Sequence, residues 1–206
     1  MIQRYNYNGE CWWCGSTDNS REHKYKRTDI VRLFGHSWFK AQNALLRFVE
    51  GNERVVQGPK SKELVFESNL CKKCNGTRSQ PFDRAYDKFI EYIHFNSSII
   101  IATKQLQFSS IFQSAWQNQR DNVIKYYVKH ICCRLAQAGV LIDPKALSYL
   151  NGNSYISCLE MDFQIREDIV AMEAKLTDEQ IPEGSVWIGD GMADHHQSSN
   201  TFSYFQ

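Results

Sequence analysis

Cys11-Trp12-Trp13-Cys14 and Leu70-Cys71-Lys72-Lys73-Cys74-Asn75 decide how this chain is read. In each, two residues separate a pair of cysteines, the gap that lets both sulfurs of one turn face a single ion at about 2.3 Å. Two such turns complete a tetrahedral four-thiolate shell, so Cys11, Cys14, Cys71 and Cys74 are predicted to hold a structural Zn²⁺. A closed shell of that kind does no chemistry of its own. It does bring its flanks together: Glu22-His23 lies shortly after Cys14, and Asn75 directly follows Cys74. Trp12 and Trp13 are expected to pack around the metal, with base stacking as the other role open to them.

The 206 residues, 42% of them hydrophobic, suffice for one large domain or two small ones with buried cores. No run of about 18 apolar residues occurs, and Met1-Ile2-Gln3-Arg4-Tyr5 lacks the apolar stretch of a signal peptide. A cytoplasmic protein without membrane contact is expected. Seven cysteines, four at metal spacing, fit reduced thiols better than a disulfide framework. Cys132, Cys133 and Cys158 are then expected as small core residues. Residues 1–80 carry 14 Lys and Arg against 8 Asp and Glu, whereas the remainder carries 10 against 15. The basic half is the half with the cysteine pairs. That bias suits either a nucleic-acid backbone or a solvated basic face.

Turn signals at Asn8-Gly9 and Gly15-Ser16 predict a knuckle followed by a hairpin-like stretch. A short helix is predicted from Thr28 or Asp29 to Gly35, and a second from Ser37 to about Phe48. Glu63-Leu64-Val65-Phe66 reads as a strand. Ser79 with Pro81 starts a helix whose apolar stripe is Phe82, Tyr86, Phe89, Ile90 and Ile93, with a break at Asn96-Ser97-Ser98. Ser114 to Ala138 is predicted as the longest helix, with Ile124, Tyr127, Val128, Ile131 and Leu135 inward and Gly139 as the stop. Asp143-Pro144 starts another. Residues 160–176 are ambiguous but favour helix; 186–188 and 202–205 read as strands, with Asp194-His195-His196 in a loop between them. His36, His94 and His130 are read as structural. The chain stops on an apolar, aromatic segment, so either a terminal strand is tied into a sheet or the natural protein continues.

The pattern of CxxC, then Glu22-His23, then CxxC with Asn75 resembles the HNH, or ββα-metal, endonuclease family in its zinc-ribbon form, over roughly residues 8 to 95. The resemblance implies an α+β fold. Residues 1–95 would form a zinc-bound ββα-metal nuclease domain with a helical insertion, and residues 96–206 a mostly helical α+β domain of unassigned role. It implies a metal-dependent DNA endonuclease in which His23 is the general base and Glu22 and Asn75 bind one Mg²⁺ or Mn²⁺. A neutral imidazole with a pKa near 6.5 accepts a proton from water at neutral pH. Hard oxygen ligands suit Mg²⁺, which takes only one or two protein groups.

Lys24, Lys72, Lys73 and Arg78 are then the expected phosphate contacts, with DNA as partner and RNA left open. Phage defence or a mobile element is the setting such a nuclease suggests. The C-terminal half would contact a second copy or a partner protein. The alternative is a non-catalytic zinc-ribbon nucleic-acid-binding module. Two departures stand out. The family's middle asparagine, which orients the base, falls at Phe66, leaving a backbone carbonyl or Asn69 to do so. The long Cys14-to-Cys71 interval implies that 28–48 is inserted, where Arg27, Arg32, Lys40 and Arg47 would meet DNA or Phe34, Trp38 and Phe39 would simply pack.

Overall fold

The computed structural model describes residues 4–34, 36, 46–49, 52–56, 58, 60–67, 69–153, 159, 161–165, 167, 193–196 and 201–204. Along the chain lie β1 (Asn19–Ser20), α1 (Arg27–Phe34), β2 (Leu46–Val49), β3 (Asn52–Val55), β4 (Leu70–Cys71), α2 (Gln80–Thr103), α3 (Phe108–Phe112), α4 (Trp116–Gln137), α5 (Pro144–Leu150), β5 (Ala193–His196) and β6 (Thr201–Tyr204). This is a helix-rich α+β chain whose sheets each have two strands. Two units form: residues 1–24 with 64–158, and residues 25–63 with 159–206. Among the described residues no helix is long and apolar enough to cross a membrane.

In the first unit, β1 pairs antiparallel with β4, Asn19 opposite Cys71 and Ser20 opposite Leu70. Farther along the same ladder His23 bridges Val65. The strand expected over Glu63 to Phe66 is therefore mostly something else: a 3₁₀ turn at Lys62–Leu64, then the single bridge. After β4 the chain turns through a π-helical turn, Cys74–Arg78, straight into α2.

The predicted start of α2 holds, with Pro81 in its first turn. Its end does not: the break expected at 96–98 is a kink at Asn96 (φ −116°, ψ 15°), and the helix continues to Thr103. Asn96 Nδ2 donates to Tyr92 O (2.8 Å), stitching across the distortion. The expected 95/96 boundary lies inside α2 and within the unit that holds residues 64–158.

Helix α2 packs on α4 around Ala85, Phe89, Ile111, Phe112 and Val123. The expected stripe is buried at Phe82, Tyr86 and Phe89, with Ile90 and Ile93 packed partly buried at its edge. On α4 the expected inner face is corrected. Of its five residues only Val128 is buried; the others lie at intermediate depth, while Lys125, Tyr126, Lys129, His130, Cys132 and Cys133 go inside. Helix α4 touches α2, α3 and α5, so no single apolar stripe describes it. Cys132 and Cys133 are core residues as expected. Asp143 caps α5 by accepting from the Lys145 N–H (2.7 Å). Gly139 ends the α4 turn at φ +71°, and a Cβ there would stand 3.2 Å from Tyr5 O. Tyr5 N–H donates to Gly139 O (2.6 Å), tying the N-terminal segment to this turn.

In the second unit, α1 runs where a short helix is predicted and buries Ile30. The helix expected to reach Phe48 is corrected at its end: Leu46–Val49 is a strand paired with Asn52–Val55, Val49 opposite Asn52. Asp194-His195-His196, expected in a loop, lies in β5 paired with β6, the latter as predicted. The rest of the Ser37 helix, Cys158, most of 160–176 and the strand at 186–188 lie outside the described residues.

Candidate metal centre and polar site

The first cysteine turn closes through Cys11 N–H to Ser16 O and Gly15 N–H to Cys11 O, both 2.8 Å. Gly15, at φ +74°, supplies the left-handed residue that this turn needs. In the second turn the Cys74 N–H points at Cys71 Sγ (3.4 Å). The β1–β4 ladder brings the two turns together, and the sulfurs of Cys11, Cys14, Cys71 and Cys74 lie within 4.8 Å of one another. Cys14 Sγ and Cys71 Sγ are 3.6 Å apart, close to the edge of about 3.8 Å expected for a tetrahedron of sulfurs around zinc. The four can hold one metal ion, which is consistent with structural zinc.

Burial raises the pKa of Cys11 and Cys74. At Cys71 burial also opposes ionisation, but the Cys74 N–H and the neighbouring thiols outweigh it and bring the pKa down to about 7. A cation held by all four sulfurs would displace the remaining thiol protons.

Trp12 and Trp13 are buried beside the centre, stacked at 5.7 Å, and Trp13 also stacks on Phe82. Neither presents a face for a nucleobase. Arg78 is engaged here as well. Its guanidinium lies 4.6 Å over the Trp13 ring, Nη1 donates to Cys74 Sγ (3.6 Å), and Nη2 donates to Asn151 Oδ1, which also accepts from Trp13 Nε1. These contacts commit Arg78 to the metal centre rather than to a phosphate. Replacing Arg78 by Met is expected to weaken metal affinity about tenfold, because it removes a charged donor to a ligating sulfur. Competition with a chromogenic chelator measures this; unchanged affinity would reduce Arg78 to packing on Trp13.

Asn75 is bonded to the two residues that precede Glu22-His23. Asn75 Nδ2 donates to Ser20 Oγ (3.0 Å) and to Arg21 O (3.3 Å). With the amide nitrogen turned to the strand, Oδ1 is the atom left for a cation. The backbone of His23 is clamped, since Phe66 N–H donates to Glu22 O (2.8 Å) and Lys24 N–H to Leu64 O (2.7 Å). Position 66 is core: the buried Phe66 ring meets His130 edge-on at 6.0 Å. Asn69 is buried, with Oδ1 lacking a hydrogen-bond partner and its backbone oxygen accepting from Trp12 N–H.

Glu22 turns inward. Its Oε1 lies 3.2 Å from Lys129 Nζ and 3.4 Å from His130 Nε2. Burial opposes its ionisation, yet His130 and Lys129 together hold the carboxyl at a pKa of about 2. The His130 contact lacks hydrogen-bond alignment, so we assign most of this hold to the Lys129 charge. Burial works against the Lys129 ammonium too, but Glu22 and then Asp83 outweigh it and raise its pKa. The sequence offered only an apolar-face argument for α4 and none for these partners, so reasoning from it missed Lys129. Among the expected phosphate contacts, Lys72 is exposed and paired with Asp18 (2.8 Å), Lys73 is exposed, and Lys24 is half-buried. Comparison with family models, with curated proteins and with solved structures returns no match.

Proposed function

We propose that this chain is a divalent-cation-dependent DNA endonuclease of the HNH type, with Zn²⁺ in the cysteine centre as a structural ion. The observation that carries the reading is the juxtaposition of Asn75 with the Glu22-His23 segment, Asn75 Nδ2 being bonded to Ser20 and Arg21. An antiparallel strand pair that feeds directly into a helix supports it as well. Glu22, ionised at neutral pH, and Asn75 Oδ1 are hard oxygen donors that fit Mg²⁺ or Mn²⁺.

His23 takes a proton from water, the resulting hydroxide attacks phosphorus, and the bond to the leaving sugar oxygen breaks. The cation, when bound, supplies charge stabilisation on the phosphate and the leaving oxygen. His23 is oriented by its clamped backbone in place of the asparagine missing at Phe66. Lys24, Lys72 and Lys73 contact the phosphates that flank the scissile one. The C-terminal half contacts a second copy or a partner protein that directs the nuclease, as a role in phage defence or in a mobile element would require.

The test is a cleavage assay on supercoiled, linear and single-stranded DNA and on RNA. Cutting of DNA is expected with Mg²⁺ or Mn²⁺ and none with EDTA. Binding without cleavage under every divalent cation would select the rival, a non-catalytic zinc-ribbon module.

A further inference from the structure

Lys129 is fully buried, so it cannot meet a substrate, yet it lies directly behind the candidate site. Its Nζ is 3.2 Å from Glu22 Oε1, 3.1 Å from Asp83 Oδ1 and 3.4 Å from Ser79 Oγ. An ammonium has three donors, and three oxygens meet them. Two of these oxygens belong to the start of α2: Ser79 precedes its first residue and Asp83 lies in its first turn. Ser79 Oγ also lies 3.0 Å from Asn75 O, to which it donates. One buried cation on α4 thus joins Glu22 to the turn that carries Asn75. Both contacts to Glu22, from Lys129 and from His130, fall on Oε1.

We propose that Lys129, with His130 beside it, is a positioning residue that holds one oxygen of Glu22 so that the other is presented to the divalent cation opposite Asn75. This rests on the reading of Glu22 and Asn75 as cation ligands. Ligating carboxylates are commonly held through the oxygen that does not bind the ion, and loss of such a hold weakens the site. The charges agree with this role. Two carboxylates, Glu22 and Asp83, surround one ammonium, leaving a negative balance for a divalent ion to meet.

The test uses the zinc-loaded full chain and follows Mn²⁺ binding by electron paramagnetic resonance. Lys129→Met is expected to weaken Mn²⁺ binding by about tenfold or more, with zinc content and helical circular dichroism retained, and Lys129→Arg to recover most of the loss. Lys125→Met is the control. Lys125 is another buried lysine of α4, paired with Asp121, and its loss is expected to leave Mn²⁺ affinity unchanged. A folded Lys129→Met protein that binds Mn²⁺ like wild type overturns the proposal, as does an equal loss in Lys125→Met. If Lys129→Met does not fold, Lys129→Gln decides: it keeps a polar donor but removes the charge that holds Oε1, and is expected to weaken Mn²⁺ binding, and unchanged affinity overturns the proposal. Wild type that binds no Mn²⁺ overturns the cation-ligand reading itself, and the role of Lys129 with it, on the wild-type arm alone.

Discussion

Stripping the metal from the cysteine centre, or replacing Cys74 by Ser, is expected to unfold the region that the two turns hold together. Structural zinc contributes about 10–16 kcal/mol in small zinc-dependent folds, as much as the whole stability of an ordinary domain, roughly 5–15 kcal/mol. The β1–β4 ladder has only two regular pairs and cannot persist on its own. Helices α2 and α4 are different, because they share the core of Ala85, Phe89, Ile111, Phe112 and Val123. Loss of metal should therefore leave much of the helical circular dichroism while exposing Trp12 and Trp13, now 4% and 5% accessible. The measurements are zinc content, expected at one ion per chain, and tryptophan emission, expected to shift to the red on metal removal. Cys132→Ser should change neither. Metal-free protein with the same emission as wild type would show that the four sulfurs are merely packed thiols.

The second large effect is expected at His23. Removal of a general base costs about 10²- to 10⁴-fold in rate, so His23→Ala should abolish detectable cutting under conditions in which wild type linearises a plasmid. The fold should survive. The backbone on either side of His23 is held by Phe66 N–H to Glu22 O and Lys24 N–H to Leu64 O, and neither bond needs the imidazole. Zinc content and thermal unfolding should stay near wild type. A His23→Ala protein that cuts normally would refute His23 as the base, even if the chain proves to be a nuclease.

The features legible in the sequence are those that depend on near neighbours. Cysteine spacing predicted the four-sulfur cluster because a two-residue turn dictates where both thiols point. Pro81, and Asp143 with Pro144, marked helix starts because proline and a cap act within one turn; Ser79, expected as a cap, donates to Asn75 O instead. The misread elements depend on distant partners or on competing local signals. Asn96 breaks helical dihedrals locally, but its side chain bonds back to Tyr92 O and the helix resumes to Thr103 with its residues there mostly exposed. Leu46 to Val49 has apolar residues that suit a helix or a strand, and the hairpin with Asn52–Val55 decides between them.

The sequence by itself determined the metal centre and the identity of the polar residues beside it, since both follow from short spacings and side-chain chemistry. The tertiary structure alone decided how those residues are held. A lysine on α4 appears solvent-facing until Glu22, Asp83 and Ser79 are seen to surround it, and an arginine after CxxCN resembles a phosphate contact until Trp13, Cys74 and Asn151 claim it. The physical reason is common to both. A charged side chain can be buried only where partners of opposite or complementary character converge on it, and here those partners come from segments far apart in the chain, Trp13 and Asn151 among them.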